Sequence, residues 1–510
     1  MRILLGIAAV LLLAYTSMFE EITVPNERTR VYLSAALVDN HAITIDAAVK
    51  RFGRTTDLAK YKKHYYTDKA PGSSMAGALL YGVVRIFTPK ESWSVESIIR
   101  LMRLGLMLPF GVLGCILLYR TLALFHIGQT ASDLTVLAWI LGTAAFHYST
   151  AFYGHQIAAV LLLLSFHLIF RGDKERTALS WKRLITAGAA AGFAGLTEYQ
   201  SLIPCVLLTA FAVRNHRKSP KLIAGFLVGA LPFALIFLAY HKAAFGGFFA
   251  LPYEHLISKS LQSMHTKGIA GVFLPRPEAI FGSLLSLHRG LLITSPVFFA
   301  VPFGLYRMAR QQQTAAAVLI GTISVYYLVF IFSAEAWFGG WAFGPRLLVP
   351  VMGCAMIPVA FALDALPMES ISAALFRGSI AAGILYNQAV HLVFPEPPEN
   401  ALNPIMDLVV PALRAGVLSP NRAAELTGRP GLWTTVIPLF ATAIVLGFIF
   451  SRGCNAQPRC RCLRNSAVGI AVLSVLIAVI VAVGPVWSKR KTDKFIHWMT
   501  DMQRREFPQQ

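Results

Sequence analysis

Charged side chains are scarce in this sequence. Asp, Glu, Lys and Arg make up 14% of the 510 residues, against 56% hydrophobic, and a soluble domain of this length needs a more polar surface. Acidic residues are the scarcest, 25 against 46 basic, for a formal net charge of +21. In a soluble chain that balance would point to nucleic acid. No basic groove sequence with interleaved aromatics is present, so nucleic acid is excluded as a partner. Cysteine is sparse as well, and the six residues form no secreted disulfide pattern. Cys115, Cys205 and Cys354 lie in apolar runs, and Cys454, Cys460 and Cys462 sit in the basic stretch "RGCNAQPRCRC". Cys-x-Cys without a His or a second pair reads as free thiols rather than a zinc site. No soluble domain and no internal repeat is visible.

What the chain has in abundance is continuous apolar runs of roughly 17–25 residues, each long enough as a helix to cross about 30 Å of hydrocarbon. They do not alternate, so they are helices and not barrel strands. The sequence predicts an all-α, polytopic integral membrane protein of about 13 spans, near 3–19, 98–118, 131–149, 156–170, 184–198, 201–213, 221–241, 290–306, 315–333, 345–363, 375–393, 432–450 and 465–485. The first run lacks a clean small-x-small cleavage site and reads as an uncleaved span. The apolar stretch 72–88 carries Gly, Ser and Arg and reads as a helix on the membrane surface. With 72–88 not spanning, the densest short basic loops, among them "RGDKERTALSWKR", "RNHRKSPK" and "YRMARQ", fall on one side and mark the cytoplasm. The charged tail "SKRKTDKFIHWMTDMQRREF" then falls outside, against that rule.

The outer side collects the unusual residues. Glu27 and Arg30, three apart in "NERTR" at the start of an expected amphipathic helix, share a face. They read either as a surface ion pair worth under about 1 kcal/mol or as a general base beside a phosphate-binding cation. Asp68 and Lys69 stand before Ala-Pro-Gly, where a helix start offers free N–H groups to an anion and Lys69 adds a point charge. His155 and Gln156 follow "AFYG" at a span mouth, and Glu198 and Tyr199 sit at a break between two short spans. An acid that close to the bilayer is paired or functional. Arg289 reads equally as a phosphate ligand and an interfacial anchor. The stretch "AEAWFGGWAFGPRLLVP" places Trp337 and Trp341, Gly339 and Gly340, Pro345 and Arg346 between two spans. Tryptophans suit an aromatic belt. A cation in the first turn of a helix is disfavoured by the dipole, so Arg346 requires an anion, either Glu335 or a ligand phosphate.

"NERTR" after the first span, then "YYTDKAPG" leading into a surface helix, together with "LHRGLLITSPVFF" and "WFGGWAFGPRLLVP", resembles the GT-C glycosyltransferases, in particular bacterial relatives of protein O-mannosyltransferases and lipid A aminoarabinose transferases. The resemblance implies transfer of a single sugar from a polyprenyl-phosphate donor to a hydroxyl of a lipid, glycan or protein. The reaction would invert the anomeric carbon, in a bacterial inner membrane with the site facing the periplasm. It implies a catalytic module over 1–350, with external loops 20–97 and 242–289, and C-terminal spans over 351–510 with external loop 394–431. It places Glu27 as the base, where many relatives have Asp, and Arg30, Lys69, Arg289 and Arg346 at the donor phosphate. His155, Gln156, Glu198, Tyr199, Trp337 and Trp341 would line the cavity. It also implies a divalent metal held by Asp68 and a later loop His, for which His255, His265 and His288 are all open and His255 is the working choice. The rival reading is a transporter or flippase of a lipid-linked or anionic substrate; the missing repeat and the one-sided charges disfavour it.

Overall fold

In the computed structural model, which describes residues 2–16, 24–175, 180–215, 219–419, 421, 432–451 and, with interruptions, 468–506, the apolar runs are helices. Five are long and apolar enough to cross a membrane: Val95–Leu124, Gly154–Arg171, Pro220–Phe245, Thr314–Ser333 and Arg346–Asp364. Gln129–Gly142, Trp181–Thr197 and Ile371–Val393 run beside them, with the shorter apolar helices Gly6–Thr16, Tyr199–Arg214 and Val436–Ser451. The protein is an all-α polytopic membrane protein. Two expected spans differ. The run 290–306 is broken into Leu291–Thr294, Pro296–Ala300 and Val301–Arg310, with a proline at the start of each of the last two pieces. The run 131–149 stops at Gly142, where Thr143 turns extended, and resumes as the short helix Ala145–Tyr148. The run 465–485 and the three cysteines at 454, 460 and 462 lie partly or wholly outside the described residues.

At one end of the bundle the turn before Gln129 meets the end of Arg346–Asp364, through Gly128 N–H donating to Asp364 Oδ1 at 3.0 Å. At the other end lie Pro25–Asp39, Asp46–Phe52, a hairpin of Leu58–Tyr61 and His64–Thr67, and Gly72–Arg85. The hairpin is the one two-stranded sheet among the described residues and was not expected; the loop after Pro220–Phe245 pairs onto it through Ile257 N–H to Leu58 O at 3.0 Å.

Gly72–Arg85 behaves as expected for the surface stretch 72–88. It buries Ser73, Ser74, Gly77 and Tyr81, and exposes Leu79 and Val83, followed by exposed Ile86 and Phe87. Its inner face lies on Pro25–Asp39, with Ser34 Oγ donating to Ser74 O at 2.8 Å. Pro25–Asp39 itself is not amphipathic: Asn26, Glu27 and Thr29 through Ala36 are all buried. The tail helix Lys489–Glu506 packs at this same end, where Phe495 and Trp498 meet Phe394 at ring distances of 5.7 Å.

Close helix approach is made by glycine. Trp181–Thr197 and Pro220–Phe245 cross where Gly188 faces the Phe226 carbonyl and Gly229 the Ile185 carbonyl, and a Cβ at either position would overlap the facing backbone. Small residues at such crossings let backbones pack where lipid supplies no hydrophobic drive. Gly188→Ala is expected to destabilise by about 1–3 kcal/mol, read as a lower melting temperature in detergent. Gly447→Ala, whose Cβ meets nothing within 4 Å, serves as the neutral control; equal melting of the two variants would contradict the close crossing.

Candidate active site

Two further glycine contacts bring three distant segments together at the hairpin end. A Cβ on Gly72 would lie 2.7 Å from Thr197 Oγ1 and 2.8 Å from the Leu196 carbonyl, and one on Gly154 would lie 2.7 Å from Thr197 O. The segment 67–73, the start of Gly154–Glu175 and the break at Glu198 therefore share one place. Their charged groups interlock. Lys69 Nζ lies 2.9 Å from Asp57 Oδ2 and 2.7 Å from Asp68 Oδ2. Arg30 donates to Glu198 Oε1 at 3.1 Å, to Asn26 Oδ1 at 2.9 Å and to Ser73 Oγ. His155 Nδ1 stands 3.5 Å from the same Glu198 oxygen.

Arg346 completes the cluster from the glycine-rich break. Gly339, Gly340 and Gly344 all have positive φ, and a Cβ on Gly339 would sit 2.8 Å from Arg346 Nε. The break thus needs glycine both to turn and to let the guanidinium lie along it. Arg346 Nε is buried without a partner, and no hydrogen bond or ion pair joins this side chain to another described residue. Glu335, the alternative anion for it, is engaged elsewhere, 3.2 Å from Arg276 and 3.5 Å from Lys267.

The fields in the cluster are uneven. Burial pushes the Asp68 carboxyl up, with the Lys69 charge opposing and Asp57 adding to the rise. Asp57 is held below its usual range, because the charge and hydrogen bond of Lys69 outweigh burial. Burial also raises Glu198, against Arg30, Arg346 and Lys69. Lys69 is raised, since its two carboxylates outweigh burial and the nearby Arg346.

The other expected residues divide. Glu27 and Arg30 do not pair with each other. Glu27 is wholly buried; its Oε1 accepts from Arg103 Nε at 2.8 Å and from Phe152 N–H at 2.7 Å, and its Oε2 from Arg103 Nη2. Both oxygens are thus bonded within the protein, to Arg103 and the Phe152 backbone. Arg289 is likewise engaged within the protein. Its guanidinium donates to Phe338 O at 2.8 Å, Gly340 O at 2.8 Å and Pro397 O at 3.0 Å, clamping two loops. Gln156 is fully buried with neither amide atom bonded. The Tyr199 hydroxyl pairs with His241 Nε2 at 3.0 Å. Trp337 lies against Gly282, while Trp341 is half exposed and meets Phe394 edge-on at 5.9 Å; both are packing and interfacial residues. His255 stacks on Phe245 at 5.8 Å and tilts against Tyr61 at 4.8 Å. Among the described residues no group of three or more His, Cys, Asp or Glu forms a metal-ligand set; the Asp68 carboxylate binds Lys69 through Oδ2, and its buried Oδ1 has no partner. Asp68 and His255 thus do not fit a metal site, and no step below uses one.

No protein-family model matches the chain, and no curated protein sequence matches it. Solved structures do. ArnT from Cupriavidus metallidurans bound to undecaprenyl phosphate superposes with a TM-score of 0.53 at 16% identity, over 94% of this chain and 77% of that one. The same protein in its apo state gives 0.51 at 15% identity, over 93% and 76%. The fold is GT-C-like.

Several residues in or against this charged cluster were not singled out in the sequence: Asp57, Arg103, Tyr148, Tyr153 and Glu396. Arg103 carried a usable signal, being a charge inside the expected span 98–118, where an ionisable group is paired or functional. Asp57 and Glu396 carried none, because their partners are distant in sequence. Removing one member of a buried ion pair strands the other, at about 3–5 kcal/mol. Glu27→Gln is therefore expected to lower the melting temperature of the purified protein by several degrees, and an unchanged melting temperature would contradict the structural role.

Proposed function

We propose that this protein is a membrane glycosyltransferase that moves a single sugar from a polyprenyl-phosphate donor to an acceptor hydroxyl, inverting the anomeric carbon, on the periplasmic or external face. The observation that carries the reading is Arg346, a partly buried guanidinium whose Nε has no partner and which forms no ion pair, near Lys69, at the end of a GT-C-like bundle. A charge removed from water without an ion pair is costly, and a donor phosphate would satisfy it. The similar ArnT structure holds undecaprenyl phosphate, a ligand of that class.

In the proposed step the acceptor oxygen attacks the anomeric carbon while the bond from that carbon to the phosphate oxygen breaks. Polyprenyl phosphate leaves with an additional negative charge, which Lys69 and Arg346 neutralise. The hydroxyl proton goes to Glu198. That role, assigned to Glu27 from the sequence, fits Glu198 better: Arg30 and His155 both approach its Oε1, and no described residue bonds Oε2. Its raised proton affinity suits a base. A single displacement inverts the centre. Gln156 and His155, with unbonded polar atoms, offer partners to sugar hydroxyls.

Purified protein incubated with a panel of polyprenyl-phosphate sugars, followed by mass spectrometry, tests this directly. Wild type should consume at least one donor. Arg346→Ala should weaken donor affinity about tenfold or more, in line with loss of a charge-assisted contact. Glu198→Gln should cut turnover roughly 10²–10⁴-fold with donor binding kept. Consumption of no donor, beside ligand movement in vesicles, would instead support transport; full turnover in Glu198→Gln would remove it as the base.

A further inference from the structure

The loop after Ile371–Val393, in "FPEPPEN", carries a second buried acid that the step above does not use. Glu396 is buried. Its Oε1 accepts from Tyr153 Oη at 2.7 Å and faces His147 Nε2 at 3.3 Å, while its Oε2 is buried with no partner. The loop is fixed there by Arg289, which donates to the Pro397 carbonyl and, on the other side, to Phe338 and Gly340 in the glycine-rich break. Tyr153 in turn stacks on His155, with ring centroids 5.9 Å apart and planes 22° apart. Tyr148 closes the stack edge-on to both rings, at 5.2 Å from Tyr153 and 5.4 Å from His155, and is tied by its hydroxyl to Phe343 O at 3.1 Å.

We propose that Glu396 is a positioning residue of the site: it anchors Tyr153 and, through that ring, sets His155 against Glu198. The proposal rests on the glycosyl-transfer reading above, because it assigns Glu396 a part in orienting the proposed base. It also brings the expected external loop 394–431 of the C-terminal part, where no site residue was expected, into the site. The groups facing Glu396 come from every neighbouring element: His147, Tyr148 and Tyr153 from the segment between Gly142 and Gly154, Arg103 from Val95–Leu124, Arg289 from the clamp, and Arg346 from the break. Burial outweighs the Tyr153 hydrogen bond and the three arginines and pushes the carboxyl up to about 7. As pH rises through that value the carboxyl ionises and the Tyr153 bond becomes charge-assisted and stronger, so the anchor tightens above neutrality and loosens below it.

The test uses Glu396→Gln, Tyr153→Phe and the double variant of the full-length protein. Each single variant should lower kcat about tenfold, with donor KM and melting temperature close to wild type. The double variant should be no worse than either single one. Wild-type kcat should rise through a step near pH 7 that is lost in Glu396→Gln. Wild-type kcat and an intact step in Glu396→Gln, or additive losses in the double variant, would overturn the proposal. An activity-independent measurement separates it from the transfer reading. Infrared difference spectra between pH 6 and 8 should show a carboxyl band that vanishes in Glu396→Gln and shifts in Tyr153→Phe. If wild type consumes no donor but the band behaves so, glycosyl transfer falls and the anchor stands. A band insensitive to Tyr153→Phe sinks the anchor, whatever the activity.

Discussion

One buried carboxylate registers the site end of this molecule. Glu27 leaves Pro25–Asp39 to take two contacts from Arg103 and one from the Phe152 N–H. Arg103 opens the π-helical turn Arg103–Met107 within the long helix, and such turns recur at functional sites because they re-aim a side chain. Phe152 immediately precedes Tyr153, Gly154 and His155. A single ion pair therefore sets the surface module, a membrane helix and the entry to the site in one register. In a medium without water the bond has no competitor, and its loss leaves a charge without solvation. Everything proposed about Arg30, His155 and Glu198 depends on that register.

The parts of the site that are local in sequence were legible, and those that are relational were not. Asp68 and Lys69 are adjacent, and their ion pair follows from adjacency. Arg346 was singled out from electrostatics, since a cation in a first helical turn asks for an anion. The structure then eliminated Glu335, which Arg276 and Lys267 hold. Glu27 and Arg30 were misread as one pair because their spacing of three fits a shared helix face. Burial on all sides of that helix lets each reach a different neighbour, Arg103 for one and Glu198 for the other. Arg289 shows the same limit: a lone arginine before a span reads as a phosphate ligand or an anchor, and three carbonyls from two loops were required to reveal a clamp. The membrane helices were legible almost throughout, because apolar length is a property of one segment. The breaks at Thr143, Glu198 and Pro296 were less so, being fixed by what packs there.

The charge arithmetic of the cluster also says how it can meet a phosphate whose charge grows. Arg30 is already engaged by Glu198, and Lys69 by two carboxylates, so at rest Arg346 alone is uncommitted among these three cations. A diester phosphate carries one negative charge and matches Arg346. When the sugar leaves, the phosphate gains a second, and the group best placed to answer is Lys69. Its two carboxylates are unequal: Asp57 is held ionised by the lysine, while burial and Asp57 itself push Asp68 toward its protonated form. On the proposed reading, the two carboxylates around Lys69 offset its charge at rest, which lets it stand near Arg346 without strong repulsion between the two cations.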